Sequence, residues 1–299
     1  MVIIGEIAAL FTSLCLSLAA IGFTKSSQQV GAQVTNRVRI LVALIILIII
    51  NTAFYNQPIP LNAGVSRWIW LSISGIIGLS LGDAFLFAAF REIGPRLGLL
   101  LLSLAPIFGS AIAWIFFGQT LPFLQIIGIV ITLVGISWVV WTNQKNGDEK
   151  VQKLTGRGIV FGILAALGQA IGLVLSQQGM TGSFSPFAGG LIRMLAAFAV
   201  LWIITIFQRQ AGSTVSLMVK QPAALDWIIF GALLGPVIGV SSSLLAIQYT
   251  EIGVASTLMA LPPIFMLPIS HFVFKERLNW PTIAGTFVAI VGVAILFSK

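Results

Sequence analysis

The chain has 299 residues, of which 58% are hydrophobic and only 8% are charged, and its mean hydropathy is +1.06. This composition excludes an ordinary water-soluble protein, because most of the chain is too apolar to form a surface that faces water. The net charge of +8 fits a protein that faces anionic lipid. Since no separate basic domain accompanies that charge, we expect no nucleic-acid partner.

Apolar stretches of about 20 residues recur along the chain, the length that a helix needs to cross a bilayer. The segment 40–50 lacks the alternation of apolar and polar residues that is typical of barrel strands, so helices are favoured. The first stretch has no basic residue before it and is long enough to span, which favours a helix over a secretory signal. We therefore predict an all-α membrane protein with ten transmembrane helices, at about residues 3–23, 37–55, 68–90, 96–117, 122–141, 156–177, 188–207, 226–247, 254–274 and 281–297.

The second part of the chain repeats the first. Leu104-Ala-Pro-Ile-Phe108 reappears as Leu261-Pro-Pro-Ile-Phe265, and a constant shift of 157 residues gives eleven identities in the thirty-three positions of 104–136. A shift of 159 pairs Trp68 with Trp227. Five helices per copy is an odd number, so the two copies must be inverted in the membrane. We predict one repeat at 1–141, a polar linker at 142–155 and a second repeat at 156–299, with any substrate site between the repeats near the bilayer midplane.

Three segments of the chain are distinctive, namely Gly82-Asp-Ala-Phe-Leu-Phe-Ala-Ala-Phe-Arg-Glu-Ile-Gly-Pro95, Leu102-Ser-Leu-Ala-Pro-Ile-Phe108 and Phe274-Lys-Glu-Arg-Leu278. They resemble the EamA-type carriers of the drug/metabolite transporter superfamily. The resemblance covers nearly the whole chain. It implies ten helices, a central cavity lined by both repeats, and alternating-access movement of small organic solutes, often amino acids or other metabolites and often outward. The family usually has Gly-Glu where this chain has Gly118-Gln119, whereas the second copy keeps Glu276.

Asp83 is the acidic side chain that lies well inside a predicted span. A charge near the bilayer centre costs about 2.5–3.5 kcal/mol on insertion scales, so such groups usually face a cavity. One interpretation is a carboxylate that accepts a proton or binds a substrate amine. The other is a structural acid that pairs with Arg37 or Arg39, since paired carboxylates are also common in structural networks. The corresponding residue of the second copy is Ser242.

Other polar residues in or near the spans are further candidates for substrate binding or proton coupling. Arg39 and Arg193 lie at similar places in the two copies and could each hold a substrate carboxylate through two parallel N–H donors, although snorkelling to the interface is an alternative. Gln169 and Gln248 could bind a polar solute or another helix. His271, the single histidine, is a candidate proton carrier or a structural residue at the interface.

Prolines and glycines predict where the helices bend and where they pack closely. Pro106, Pro262 and Pro263 fall within predicted helices, where each removes an amide donor and favours a kink, so we predict hinges there. Gly75, Gly78 and Gly82 share one helix face that allows another helix to approach. Gly128 and Gly135, with their partners Gly285 and Gly292, are predicted to do the same.

No motif in the sequence indicates an enzyme. A phosphate-binding Gly-x-x-x-x-Gly-Lys-Ser/Thr sequence and a metal-ligand cluster are both absent, and Cys15 is the single cysteine, so neither a cofactor nor a metal is expected. The pattern favours a secondary transporter, and an exporter in particular, of small amphipathic organic solutes in a plasma or bacterial inner membrane, with protons as a candidate coupling ion. A non-transporting receptor or assembly subunit, and a membrane-embedded lipid enzyme, are the alternatives.

Overall fold

The structure is a computed structural model that describes residues 2–117, 123–145, 155–182, 184–249, 255, 258–275 and 279–296. Helices make up nearly all of these ranges, and no β-strand occurs within them. The prediction of an all-α protein is confirmed. Gln119, Glu276 and residues 146–154 of the predicted linker lie outside the described residues.

The described part of the first half contains six helices. They are α1 (Val2–Val30), α2 (Ala32–Tyr55), α3 (Val65–Ser74), α4 (Asp83–Leu102), α5 (Ala105–Phe117) and α6 (Phe123–Lys145). A 3₁₀ turn at Leu61–Ala63 precedes α3, and a π-helical segment at Gly75–Gly82 joins α3 to α4. Because α6 continues to Lys145, residues 142–145 of the predicted linker are helical.

Seven described helices form the second half. They are α7 (Gly156–Gly179), α8 (Pro186–Phe207), α9 (Ala211–Lys220), α10 (Pro222–Ala232), α11 (Val240–Tyr249), α12 (Pro262–Phe274) and α13 (Trp280–Leu296). A second π-helical segment, Leu233–Gly239, joins α10 to α11. The short helix α9 adds to the predicted elements, and the sequence gives little sign of it because only four of its ten residues are strongly apolar.

Within the described ranges, six helical runs are long and apolar enough to cross a membrane, namely Ile3–Val30, Ala32–Tyr55, Val65–Leu102, Gly156–Gly179, Pro186–Phe207 and Pro222–Tyr249. Ile126–Val139, Pro262–Phe274 and Trp280–Ile295 are shorter apolar helices. The protein is therefore a multi-pass membrane protein, and the count of ten crossings stays a prediction.

The region of the third and fourth predicted helices breaks at other positions in the structure than in the prediction. Val65–Leu102 is one helical run of 38 residues, but Gly94 inside it has φ 79° and ψ 163° and interrupts the helix. A side chain would be strained at that positive φ, and Pro95 follows with its fixed backbone angle. A second break, at Ser103 and Leu104, falls within the predicted fourth helix and precedes α5.

The three prolines predicted to kink helices instead lie where helices begin. Pro106 is the second residue of α5, and Pro262 and Pro263 are the first two residues of α12. An amide in the first turn of a helix has no partner within that helix, so proline is well tolerated there. The expectation that these prolines interrupt continuous helices was wrong, and each instead follows a short break.

The two π-helical segments lie at corresponding positions in the two halves. The shift of 159 that pairs Trp68 with Trp227 carries Gly75–Gly82 onto 234–241, which overlaps Leu233–Gly239. Glycines of the first segment pack against glycines of α7: a Cβ at Gly168 would lie 2.8 Å from the Cα of Gly82, and a Cβ at Gly172 would lie 3.0 Å from the Cα of Gly78. The predicted close approach of a neighbouring helix to this glycine face is confirmed.

Helices α6 and α13, one from each half, also pack at glycines. A Cβ at Gly135 would lie 2.4 Å from the amide nitrogen of Ala289, and a Cβ at Gly292 would lie 2.3 Å from that of Thr132. A side chain fits at neither position, so the backbones touch. Because this contact joins the last helix of each half, it holds the halves together.

Candidate functional site

Asp83 is the first residue of α4 and follows the π-helical segment directly. Its side chain is buried, with only 6% of the residue exposed. Arg39 donates from Nη2 to the Oδ2 of Asp83 at 2.6 Å, and Gln169 donates from Nε2 to its Oδ1 at 2.5 Å. The sequence allowed either Arg37 or Arg39 as the partner of Asp83 in a structural pair. In the structure the partner is Arg39.

Arg37 belongs to a different network, although it lies only two residues before Arg39. It donates to the hydroxyl of Thr214 at 3.3 Å and to the Oε1 of Gln210 at 2.7 Å, and Gln33 and Gln208 accept longer bonds from it. Thr214 is part of α9 and Gln210 precedes that helix. Arg37 therefore fixes α9 against α2 and takes no part in the environment of Asp83.

Hydrogen-bond acceptors and aromatic rings surround the guanidinium group of Arg39. Besides Asp83, it donates to the Oδ1 of Asn36 from Nε at 3.2 Å and from Nη2 at 2.9 Å, and to the carbonyl oxygen of Leu79 at 3.1 Å. The rings of Phe23 and Phe87 lie 5.6 and 5.0 Å from its guanidinium carbon, within the range of cation–π attraction. These contacts pair and shield the charge, which is 2% exposed.

Asn36 is a member of the cluster that the sequence did not single out. It lies one turn before Arg39 on α2, and it donates from Nδ2 to the carbonyl oxygen of Ser80 at 3.1 Å. The spacing of three residues, which puts both side chains on one helix face, is the signal that could have identified it. Asn36 and Arg39 thus bind consecutive carbonyl groups of the π-helical segment and anchor it beside Asp83.

Arg193 reaches the same region from α8. It is 4% exposed, and its Nε has no hydrogen-bond partner among the described residues. A Cβ built on Gly78 would lie 3.5 Å from its Nη2, and one built on Gly75 would lie 2.2 Å from its carbonyl oxygen. Arg193 interacts electrostatically with Asp83 without forming a hydrogen bond to it.

Arg39 and Arg193 occupy corresponding positions in the two halves. Each begins an Arg-x-Leu-x-Ala sequence, which ends at Ala43 and Ala197, and both alanines are fully buried. The position that matches Asp83 is Ser242, a half-buried residue of α11 that forms no hydrogen bond to Asp83. The cluster of Arg39, Asp83 and Arg193 therefore contains two buried guanidinium groups and one carboxylate, with a formal charge of +1.

The remaining sequence candidates lie in other contacts. Gln248 donates to the carbonyl oxygen of Phe184 at 2.5 Å, in the connection between α7 and α8. His271 is exposed on α12, where its ring contacts that of Phe272 edge-on at 5.2 Å. The structure thus brings together Asp83, Arg39, Gln169 and Arg193, and leaves Gln248 and His271 outside that cluster.

A metal site and an open cavity are two other kinds of candidate site. Among the described residues, no group of three or more His, Cys, Asp or Glu side chains could hold a metal ion. A cavity of about 490 Å³ opens beside α3, and it is lined by Leu61, Gly64, Val65, Trp68, Ile69, Ser72 and Ile73. None of these lining residues belongs to the cluster around Asp83.

The chain is similar to curated transporters and to a solved structure. An uncharacterized transporter of Archaeoglobus fulgidus is 20% identical over 294 residues, which cover 96% of each chain. An uncharacterized transporter of Clostridium kluyveri is 25% identical over 146 residues, which cover 48% of this chain and 45% of that relative. A crystal structure of another protein superposes with a TM-score of 0.64 at 16% identity, covering 97% of this chain and 95% of that chain, and shows a shared fold.

The sequence profile of the EamA-like transporter family matches the chain twice, at residues 3–141 and 156–298. The two matches together include every member of the buried cluster. They point to a transporter rather than to an enzyme. The resemblance noted in the sequence is confirmed, and the chain belongs to the EamA-like transporter family.

Proposed function

We propose that the protein is a secondary active transporter that exports small amphipathic organic solutes, such as amino acids or related metabolites, by alternating access. The observation that carries this proposal is the buried charged cluster, to which α2, α4, α7 and α8 each contribute a side chain. Two of these helices belong to each half. A site built from both halves changes its geometry whenever one half moves against the other.

Charge is costly within a membrane protein, and this supports a functional role for the cluster. Each charged residue near the bilayer centre costs about 2.5–3.5 kcal/mol on insertion scales. Arg39, Asp83 and Arg193 are all buried in the cluster, and of these three only Arg39 and Asp83 form an ion pair. Apolar side chains packed tightly in the same region would stabilise the fold at least as well. The net positive charge of the cluster is therefore better explained by the binding of a charged or polar solute.

Asp83 has two different kinds of contact, and they suggest how it serves transport. Its bond to Arg39 lies within the first half, whereas its bond to Gln169 crosses to the second half. Movement of one half against the other therefore breaks the bond to Gln169 and preserves the pair with Arg39. A proton taken up by the carboxylate, or a hydrogen-bond donor of the solute, would then replace the Gln169 amide at Oδ1.

The breaks before Pro106 and before Pro262 and Pro263 are the proposed hinges. At each break a helix begins anew, so the backbone can turn there without the loss of a regular run of hydrogen bonds. Ser242, Gln248 and His271 remain candidates for contacts in the opposite-facing conformation. The proposed location is the plasma membrane, or the inner membrane of a bacterium.

The test is solute counterflow in proteoliposomes that hold the purified protein. Vesicles are preloaded with a mixed pool of amino acids and organic acids, and uptake of each labelled solute is followed with and without a pH gradient. We expect accumulation of one chemical class, and protein-free vesicles are the control. Absence of flux across the panel, from protein shown to be folded, would contradict the proposal and favour a receptor or assembly subunit.

A further inference from the structure

Arg39 and Arg193 correspond in sequence but differ in their surroundings. The guanidinium group of Arg39 has Asn36, Asp83 and a main-chain carbonyl as acceptors. Within the part of the chain that the structure describes, no group accepts a hydrogen bond from Arg193, although that residue is only 4% exposed. A buried guanidinium group without an acceptor is unfavourable and gains most from a partner.

We propose that Arg193 binds a carboxylate group of the transported solute, and that this carboxylate, rather than an amine, is what the site requires. The inference rests on the proposed function and narrows it, since it names the charge of the cargo. The guanidinium fork presents two parallel N–H donors that match the two oxygens of a carboxylate. One bound carboxylate also neutralises the formal charge of +1 on Arg39, Asp83 and Arg193.

The contacts of Asp83 argue against recognition of an amine. Both oxygens of its carboxylate are occupied, Oδ2 by Arg39 and Oδ1 by Gln169. A cationic solute would have to displace one of these donors and would raise the charge of the cluster from +1 to +2. An anionic solute can bind Arg193 without first displacing a hydrogen-bond partner from its guanidinium group.

The surroundings of Arg193 indicate the rest of the solute. Its Nη2 lies 3.5 Å from where a Cβ at Gly78 would stand, at the point where the backbones of Gly78 and Gly172 pack together. Leu191 and Met194, which lie close to Arg193 in sequence, and Ile40, which follows Arg39, are buried apolar residues of one core cluster. A small carboxylate on an apolar body, with no second charge, fits these surroundings best.

The first experiment measures binding by the purified, folded protein in lipid nanodiscs. Three probes share one apolar body and differ only in their polar group: 3-phenylpropionate, 3-phenylpropanamide and 3-phenylpropylamine. Because hydrogen bonds between a guanidinium group and a carboxylate are charge-assisted, we expect the carboxylate to bind about tenfold or more tighter than the amide. Equal binding of the carboxylate and the amide, tighter binding of the amine, or no binding of any probe would overturn the proposal.

Two substitutions assign the preference to Arg193. We expect Arg193→Gln to remove the preference for the carboxylate, and Arg193→Lys, which keeps the charge and loses the fork, to reduce it partly. Arg209→Gln is the matched control, because Arg209 is exposed just beyond α8 and should leave all three affinities unchanged. If Arg193→Gln does not fold, the lysine variant decides; an undiminished preference in a folded Arg193 variant would overturn the proposal.

Counterflow of the same probes separates this inference from the proposed function. If other solutes are transported but the carboxylate binds equally well without Arg193, the protein is a transporter and the proposed carboxylate site is wrong. If binding of the carboxylate depends on Arg193 but no solute is transported, the carboxylate site is supported and the proposed transport function is wrong. Flux of 3-phenylpropionate that is lost in Arg193→Gln supports both.

Discussion

The hydroxyl group of Ser13 donates a hydrogen bond to the carbonyl oxygen of Leu258 at 2.5 Å. Ser13 lies on α1 in the first half, and Leu258 lies four residues before Pro262 in the second. In a regular helix the amide of residue 262 would bind that carbonyl, but proline has no amide hydrogen. The carbonyl accepts a longer bond from the amide of Leu261, at 3.3 Å, and the hydroxyl of Ser13 adds a second donor from the other half.

The first prediction follows from this bond. We expect Ser13→Ala to destabilise the folded protein by about 0.6 kcal/mol, and by no more than about 1.7 kcal/mol, the range measured for hydrogen bonds between membrane helices. It should also increase hydrogen exchange of the amides at 264–266, because the start of α12 loses its anchor. Ser213→Ala, on the exposed side of α9, is the control. Unchanged exchange in α12 would show that Ser13 does not hold the break before Pro262.

The second prediction concerns the ion pair. Asp83→Asn keeps the size of the side chain but leaves Arg39 without its buried counter-charge. Loss of one partner of a buried pair costs about 3–5 kcal/mol, so we expect a large loss of stability and at least a tenfold loss of counterflow. Asp226→Asn removes an exposed carboxylate on α10 and should change neither quantity. A folded Asp83→Asn protein with normal flux would exclude Asp83 from the transport cycle.

The third prediction tests the packing of α6 against α13. In Gly292→Ala the new methyl group would lie 2.3 Å from the amide nitrogen of Thr132, so the two helices must separate. We expect a loss of about 1–3 kcal/mol, as in other overpacked interiors. Gly109→Ala is the matched control, because a Cβ at Gly109 meets no atom within 4 Å. It should be neutral or slightly stabilising, since alanine favours a helix more than glycine does.

Cys15 offers a direct measurement for this comparison. It is the single cysteine of the chain, and it is 2% exposed in α1. A thiol-reactive dye should therefore report unfolding as the protein is heated. If Gly292→Ala and Gly109→Ala unfolded at the same temperature, the contact between α6 and α13 would not be as close as the structure has it.

The fourth prediction concerns α9. Arg37→Gln removes the donors that hold Thr214 and Gln210, so we expect faster hydrogen exchange at Ala211–Lys220 and little change in the affinity for a transported solute. The reason is that Arg37 and Asp83 belong to separate networks. Arg209→Gln again serves as the control. Loss of solute affinity in Arg37→Gln would instead connect α9 to the central site.

Much of the fold was predictable because apolar length and internal repetition are properties of the sequence itself. The helical class followed from those patterns, the family from three short segments, and the close approach at Gly82 and Gly292 from the spacing of the glycines. The break at Gly94 was less visible, since a single glycine within an apolar stretch is compatible with a continuous helix. The position of Pro262 was misjudged because a proline in an apolar run can either kink a helix or begin one.

The cluster was only partly predictable, since it depends on which helix faces meet. Asp83, Arg39, Gln169 and Arg193 stood out because polar groups are rare in these spans. Nothing in the sequence distinguished Arg39 from Arg37 as the partner of Asp83, because the two lie only two residues apart and the rotation of α2 decides between them. That rotation results from tertiary packing and has no local signal.

The π-helical segment that recurs in both halves limits how the length of the chain can change during evolution. Each such segment adds residues to a turn, so the part of the helix that follows is rotated by about 100° for every residue gained or lost. Deletion of one residue within Gly75–Gly82 would restore a regular helix and turn Asp83 away from Arg39 and Gln169. Away from the glycines that pack against α7 and α8, substitutions can accumulate in these segments, but their length cannot vary freely. A feature present at the same place in both copies is most simply an inheritance from the single ancestral unit, older than the duplication and older than the difference between Asp83 and Ser242.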